Sequence, residues 1–247
     1  MKRALFRSTD EPVLTAGRIA LLVALVWIAF AAASLVLRGE RAREAWPDPD
    51  DAMRMVEVRD LLQGQHWHDL AQHRLDPALG PQGGVPMHWS RLVDAPIAGL
   101  VLALTPLVGA DEAETLAILI WPLLPGLLLF AAAAAMGQRL AGREGAIVAA
   151  IGTAFAAYTV GVYAPGRIDH HNIQIALGVA LIAALMADPE GVRASVLTGL
   201  FSGLTLTIGM ETLPYVVLGG AVVALRWAFD LNIPRAAFLA YAASFAA

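Results

Sequence analysis

IALLVALVWIAFAAASLVL, residues Ile19–Leu37, runs for 19 residues without a charge, about the length of helix that crosses the hydrocarbon core of a bilayer. A basic segment, MKRALFRSTDEPVLTAGR, precedes it, and Arg38 and Glu40 follow at once. A secretory leader has a shorter apolar core and a small-residue cleavage site, so the stretch reads as an uncleaved membrane anchor. The whole chain agrees: of 247 residues, 58% are hydrophobic and 15% charged, against about 45–50% and about 25% in an ordinary soluble domain. The fold class expected is therefore an all-α polytopic membrane protein. A net charge of −4 supplies no basic excess for nucleic acid, and the absence of cysteine excludes disulfides, thiolate metal sites and cysteine nucleophiles.

Outward from the anchor the character changes. Between Arg38 and Arg91 lie nine acidic residues, seven arginines and four of the six histidines, which marks 38–92 as a long loop outside the bilayer. Apolar stretches follow at Val93–Gly109, Thr115–Met136, Gly145–Ala164, Ile173–Ala187, Ala194–Gly209 and Leu213–Phe229, with a last one from Ala236 to Ala247. Asp94, Pro96 and Pro106 interrupt the first of these and leave it short of the roughly 20 apolar residues of a span. It reads as an interfacial or re-entrant helix. With that stretch not crossing, Arg139, Arg143, Arg193, Arg226 and Arg235 fall on the side of Lys2, Arg3, Arg7 and Arg18, as the positive-inside rule requires. The loop 38–92 and the connection Pro165–Asn172 then share the non-cytoplasmic face. The chain ends within an apolar stretch, and the expectation is that 1–247 is the N-terminal part of a larger transmembrane domain.

Three stretches carry residues able to do chemistry. PGRIDHHN, Pro165–Asn172, places an arginine, an aspartate and two histidines between apolar spans, where ionisable side chains point to function. Asp169 and His171 are two apart, so a turn or extended backbone presents an oxygen and a nitrogen to one divalent ion. Such a mixed set suits Mn²⁺ better than Mg²⁺. The alternative is that Asp169 or Asn172 caps the following helix and the histidines sit in water. In WPDPDDAMRMVEVRD, Trp46–Asp60, the carboxylates Asp48, Asp50 and Asp51 stand at the start of a helical run. They either coordinate a cation or complement the helix dipole. Together with the Asp169 loop they form a composite metal site. In PQGGVPMHWSRLVDAP, Pro81–Pro96, His88 and Arg91 are candidate phosphate contacts, while Trp89 reads equally as an interfacial anchor. His66, His68 and His73 lack zinc spacing and read as surface histidines. Glu211, at an outer connection, is either a catalytic base or a solvated turn residue.

These motifs resemble the catalytic subunit of the oligosaccharyltransferases, within the GT-C superfamily of glycosyltransferases. DPDDAMRMVEVRDLLQG resembles the family's first acidic motif, PQGGVPMHWSRLVD is similar to a P-x-G…W-x-x-L-x-D segment of archaeal members, and GRIDHHN resembles the second motif. The resemblance implies a GT-C-like helix bundle with a long first external loop. It implies metal ligation by Asp169 and His171 and by Asp50 or Asp51, with Asp48 selected by the archaeal pattern, and catalytic roles for Asp50, Asp51 and Asp169. It also implies a Mn²⁺ or Mg²⁺ ion and a polyprenyl-phosphate-linked sugar donor, with His88, Arg91, Arg167 and His170 at the substrate. The acceptor would be a glycan, lipid or protein, and the active site would face the exterior or periplasm from the cell's inner membrane. A WWDYG-type acceptor motif is absent from the chain.

Overall fold

The computed structural model describes residues 12–75, 84–187, 191–229, 231 and 233–247. Lys2, Arg3 and Arg7, which entered the sidedness argument, and the Pro81–Gly83 start of the glycine- and proline-rich turn lie outside the described residues. The described chain is all-α apart from a two-residue antiparallel ribbon, β1 (Ala71–Gln72) against β2 (Val85–Pro86). Three segments are apolar and long enough to cross a membrane: Ala16–Glu44, Arg91–Val108 and Ala110–Phe155.

The first helix, α1 (Ala16–Glu44), starts at Thr15, whose hydroxyl accepts from the Arg18 N–H, and carries Arg41 and Arg43 in its last turn. Its 29 residues make a rod of about 44 Å, so it extends well past the uncharged stretch. A second helix, α2 (Pro49–Leu62), is built as its sequence dictates. Asp48 caps it by accepting from the Asp50 N–H, Pro49 fixes the first turn, and Asp50 and Asp51 complement the N-terminal dipole. Asp51, Arg54, Met55 and Val58 are its buried stripe, at helical spacing.

Next come α3 (Arg91–Val108), joined through Gly109 to α4 (Ala110–Ile120), a tight helical turn at Trp121–Leu123, and α5 (Leu124–Phe155). α5 is two arms joined by a break at Ala141 and Gly142, where Gly142 has φ +58. A side chain is disfavoured there. The arms touch so closely that a Cβ built on Gly137 would lie 2.2 Å from the Gly145 carbonyl oxygen. The segment Ala110–Phe155 is therefore a hairpin and not one long rod. A short α6 (Ala157–Val162) leads to α7 (His171–Leu185), α8 (Val192–Ile208), α9 (Leu213–Ala228) and α10 (Arg235–Ala246).

Hydrogen bonds fix which ends lie together. The Arg143 N–H donates to the Pro12 carbonyl and Gln138 bonds Leu14, so the break in α5 sits beside the start of α1. Arg226, at the end of α9, donates to the Leu185 carbonyl at the end of α7. At the other end, Arg38 donates to the Val160 carbonyl, Arg43 pairs with Glu112, Arg167 pairs with Asp48, and Thr205 bonds Thr212. Both ends of α3 are tied to this second end. Arg91 bonds the Glu57 and Asp69 carbonyls, and past Gly109 the residues Glu112 and Glu114 pair with Arg43 and Arg59. α3 runs unbroken through Pro96 and Pro106, and its length and composition suffice for a span.

Two apolar cores hold this arrangement. One, with Val23, Phe30, Phe130 and Tyr163, joins α1 to α5 and α7. The other, with Met55, Val58, Ile97, Trp121, Ile168 and Ile208, lies under the polar end and packs α2 and α3 onto α4, α7 and α8. It is the platform on which the candidate site stands.

Candidate functional site

The connection Ala164–His170 folds against the first turn of α2. The backbone N–H of Asp169 donates to Asp51 Oδ1 at 2.9 Å, and Arg167 Nη1 sits 2.8 Å from Asp48 Oδ2 and 3.1 Å from Asp51 Oδ2. Residues 118 apart in sequence thus meet in one buried contact. Asp51 is fully buried, and burial pushes its carboxyl up to about 6. Asp50 is exposed, and Asp48 is divided between capping α2 and Arg167. Of the three clustered aspartates, Asp51 is the one that bonds Asp169, and Asp48 reaches the same motif only through Arg167.

On the other flank, Asp169, His170 and His171 offer ligand atoms that all lie within 4.8 Å of one another. Asp169 Oδ2 contacts His171 Nδ1, and Asp169 Oδ1 accepts from its neighbour's backbone N–H at 2.6 Å. Burial opposes ionisation of Asp169, but the hydrogen bonds from both imidazoles hold its carboxyl well below the usual carboxylate range. The same bond from Asp169 raises His171. His171 is 41% exposed while His170 is buried. α7 begins at His171 with no side-chain cap. Asn172 instead binds the Arg167 carbonyl and its neighbour's N–H, so neither Asp169 nor Asn172 serves as an ordinary helix cap.

His170 links this cluster to a second layer. Its ring lies 3.2 Å from Glu211 Oε1 on one side and 3.2 Å from Arg54 on the other. Gln174 donates to the remaining Glu211 oxygen at 2.7 Å, and burial notwithstanding, these bonds lower the Glu211 carboxyl. The connection carrying Glu211 thereby joins the site, with half of the side chain still open to solvent.

Arg54 is 0% exposed. Its guanidinium bonds Asp94 at 2.8 Å, lies 3.7 Å from Glu57, and stacks under the Trp89 ring at 4.4 Å. Asp94 also bonds Arg91 at 3.0 Å, and Arg91 in turn holds Gln65 and two backbone carbonyls. Burial, aided by Asp94, pushes the Glu57 carboxyl up to about 7. Sequence reasoning missed this network. Its trace was present as Arg91 and Asp94 one helical turn apart, and as Arg54 and Glu57 on the apolar face of α2. Trp89 is buried over Arg54, not standing free at an interface. Arg91 is buried and bonded through both Nη atoms, and His88 is exposed beside Trp89. His66, His68 and His73 are exposed.

The arrangement offers a carboxylate and two imidazoles at the rim, a second carboxylate in contact behind them, and a cation, Arg167, between the two motifs. A mixed oxygen and nitrogen set of this kind accommodates a first-row divalent ion, while Asp51 Oδ2 is ion-paired with Arg167 at 3.1 Å and lies outside the three-residue ligand cluster. Comparison with protein-family models, with curated proteins and with solved structures returned no match, so chemical inference rests on these residues.

Proposed function

We propose that this chain is the membrane-embedded catalytic part of a metal-dependent glycosyltransferase of the GT-C kind. It would transfer a sugar from a polyprenyl-phosphate-linked donor on the non-cytoplasmic face of the cell's inner membrane to a glycan, lipid or protein acceptor. The observation that carries the reading is the meeting of the two acidic motifs: Asp51 bonds the backbone of Asp169 beside the Asp169–His170–His171 cluster. Its supports are the succession of apolar helices, the gathering of the Asp/His cluster at one end, and Arg143 and Arg226 at the other. A transporter would instead place ionisable groups near the middle of broken helices.

In this reading Asp169 and His171 hold the ion, with Asp51 and His170 adjacent and Asp50 at the solvent edge. The bound ion supplies Lewis acidity to the leaving phosphate. Arg167, held between Asp48 and Asp51, presents a fixed positive charge toward the same phosphate. Glu211, oriented by Gln174 and His170, accepts the acceptor's proton. Arg91 keeps the loop folded over the site, and His88 stands exposed at its mouth.

The test is Mn²⁺ titration of the purified chain by electron paramagnetic resonance. One bound ion is expected, lost in Asp169→Asn and weakened at least about tenfold in His171→Ala. Equal Mn²⁺ uptake by wild type and Asp169→Asn would overturn the proposal.

A further inference from the structure

Eight arginines lie at the site end of the bundle: Arg38, Arg41, Arg43, Arg54, Arg59, Arg74, Arg91 and Arg167. Six are neutralised by carboxylates, with Arg43 on Glu112, Arg54 and Arg91 on Asp94, Arg59 on Glu114, Arg74 on Asp60, and Arg167 on Asp48 and Asp51. Among the described residues Arg38 and Arg41 have no carboxylate partner, and Arg38 makes only a long bond to the Val160 carbonyl. Both line one cavity of about 720 Å³, together with Trp46, Tyr158 and Arg167. A fold that pairs every other arginine here leaves two unpaired at the mouth of one hollow, and the charge is complementary to an anion.

What kind of anion follows from the neighbouring surface. Directly below, a second hollow of about 380 Å³ runs between α1 and the second arm of α5, lined by Ala29, Phe30, Ala33, Ile151 and Ala154. It is almost wholly apolar, and it meets the first cavity at Leu37 and Arg38, which line both. Leu37 is also where the uncharged stretch of α1 ends. An apolar trough rising to a pair of free guanidiniums at that level matches a molecule with a hydrocarbon chain and a phosphate head. Arginine suits phosphate because its planar donors bind two oxygens at once, and exposed Tyr158 and Trp46 are the amphipathic side chains expected at that depth. A soluble phosphate would use the upper cavity and leave the trough without purpose.

We propose that the paired hollows bind a membrane lipid through its phosphate, with Arg38 and Arg41 as the anion contacts and the hydrocarbon chain lying between α1 and the second arm of α5. This rests on the membrane placement of α1 and not on the transferase reading. Arg167 lines the cavity on one side and holds Asp48 and Asp51 on the other, so the lipid phosphate would stand next to the candidate metal centre.

The experiment is a thermal-shift titration of the full chain in dodecyl maltoside with dodecyl phosphate, dodecanol or inorganic phosphate. Dodecyl phosphate raises the unfolding midpoint saturably, while dodecanol and inorganic phosphate at equal concentration do not. Arg38→Gln/Arg41→Gln raises the half-saturating concentration about tenfold or more, and Ala33→Phe, which fills the trough, does the same. Should the double variant be unstable, Arg41→Gln alone decides, because that side chain holds no partner whose loss unfolds the chain. Unchanged half-saturation in Arg41→Gln overturns the proposal. Inorganic phosphate matching dodecyl phosphate overturns it in favour of a soluble-anion site, and dodecanol matching it removes the role of the phosphate. Because the readout is binding without added metal, failure here leaves the metal-centre reading to its own test.

Discussion

Asp94→Asn probes the buried network beneath the candidate site. The carboxylate bridges two guanidiniums, Arg54 at 2.8 Å and Arg91 at 3.0 Å, with all three side chains almost completely buried. An asparagine keeps the shape and one acceptor oxygen, but its amide must turn N–H groups toward the other guanidinium, donor against donor. Removing one member of a buried pair costs about 3–5 kcal/mol. Here removal of the Asp94 charge, which helps to hold the Glu57 proton, favours ionisation of Glu57 3.7 Å from Arg54, and this partial replacement sets the expectation near the lower figure. For a chain of this size about 3 kcal/mol lowers the unfolding midpoint by roughly 6–12 °C, measured by thermal unfolding in detergent. Asp94→Asn/Glu57→Gln, which leaves both arginines without a neighbouring carboxylate on α2 or α3, falls further. A shift under about 2 °C in the single variant would refute the view that this network holds the loop to the bundle.

Three further outcomes follow. Glu57 keeps a proton in the folded chain up to about pH 7, whereas the unfolded chain releases it near the ordinary carboxyl value. Stability conferred at low pH is therefore lost as pH rises through that window. Glu57→Gln, neutral throughout, narrows the difference in unfolding midpoint between pH 5 and pH 8, and an unaltered difference would count against a buried, proton-retaining Glu57. Gly137→Leu forces a side chain into the Gly145 carbonyl, so the α5 hairpin opens and folded yield falls sharply; wild-type yield and midpoint would show that the arms are not in contact. Since the chain has no cysteine, Asp50→Cys and Glu211→Cys should both react with an impermeant maleimide on intact cells, and Arg139→Cys only after permeabilisation. Reaction of Arg139→Cys on intact cells would reverse or dissolve the assigned sidedness.

Helix positions were legible where local physics decides them. The uncharged run Ile19–Leu37 and the Asp48–Pro49 start of α2 each encode their outcome within a few residues, whereas α3 runs unbroken through Pro96 and Pro106. The parity of apolar stretches also placed Pro165–Asn172 and the Arg38–Arg91 loop together, as the Asp51–Asp169 bond shows. The partners of Arg54 were not legible, because Asp94 and His170 are 40 and 116 positions away and nothing local marks a charge for burial. The division of labour among Asp48, Asp50 and Asp51 was equally hidden. It depends on which way the first turn of α2 faces once α2 has packed on α3, and adjacent aspartates there differ in facing and not in chemistry. Glu211 belonged to the same category until the α8–α9 connection brought it to His170.

The burial of Arg54 also sets an order of events during synthesis. Its acceptor Asp94 emerges 40 residues later, but His170 follows 116 residues after it. At about 5–20 residues per second the interval between those two residues is about 4–15 s. Throughout it, the loop has its helix and half of its partners but no floor, because the Ile168 end of the lower core has not been made. A loop made early and completed last must wait in an unfinished state. For this chain, then, slower elongation through residues 94–170 prolongs the time the loop spends unfinished.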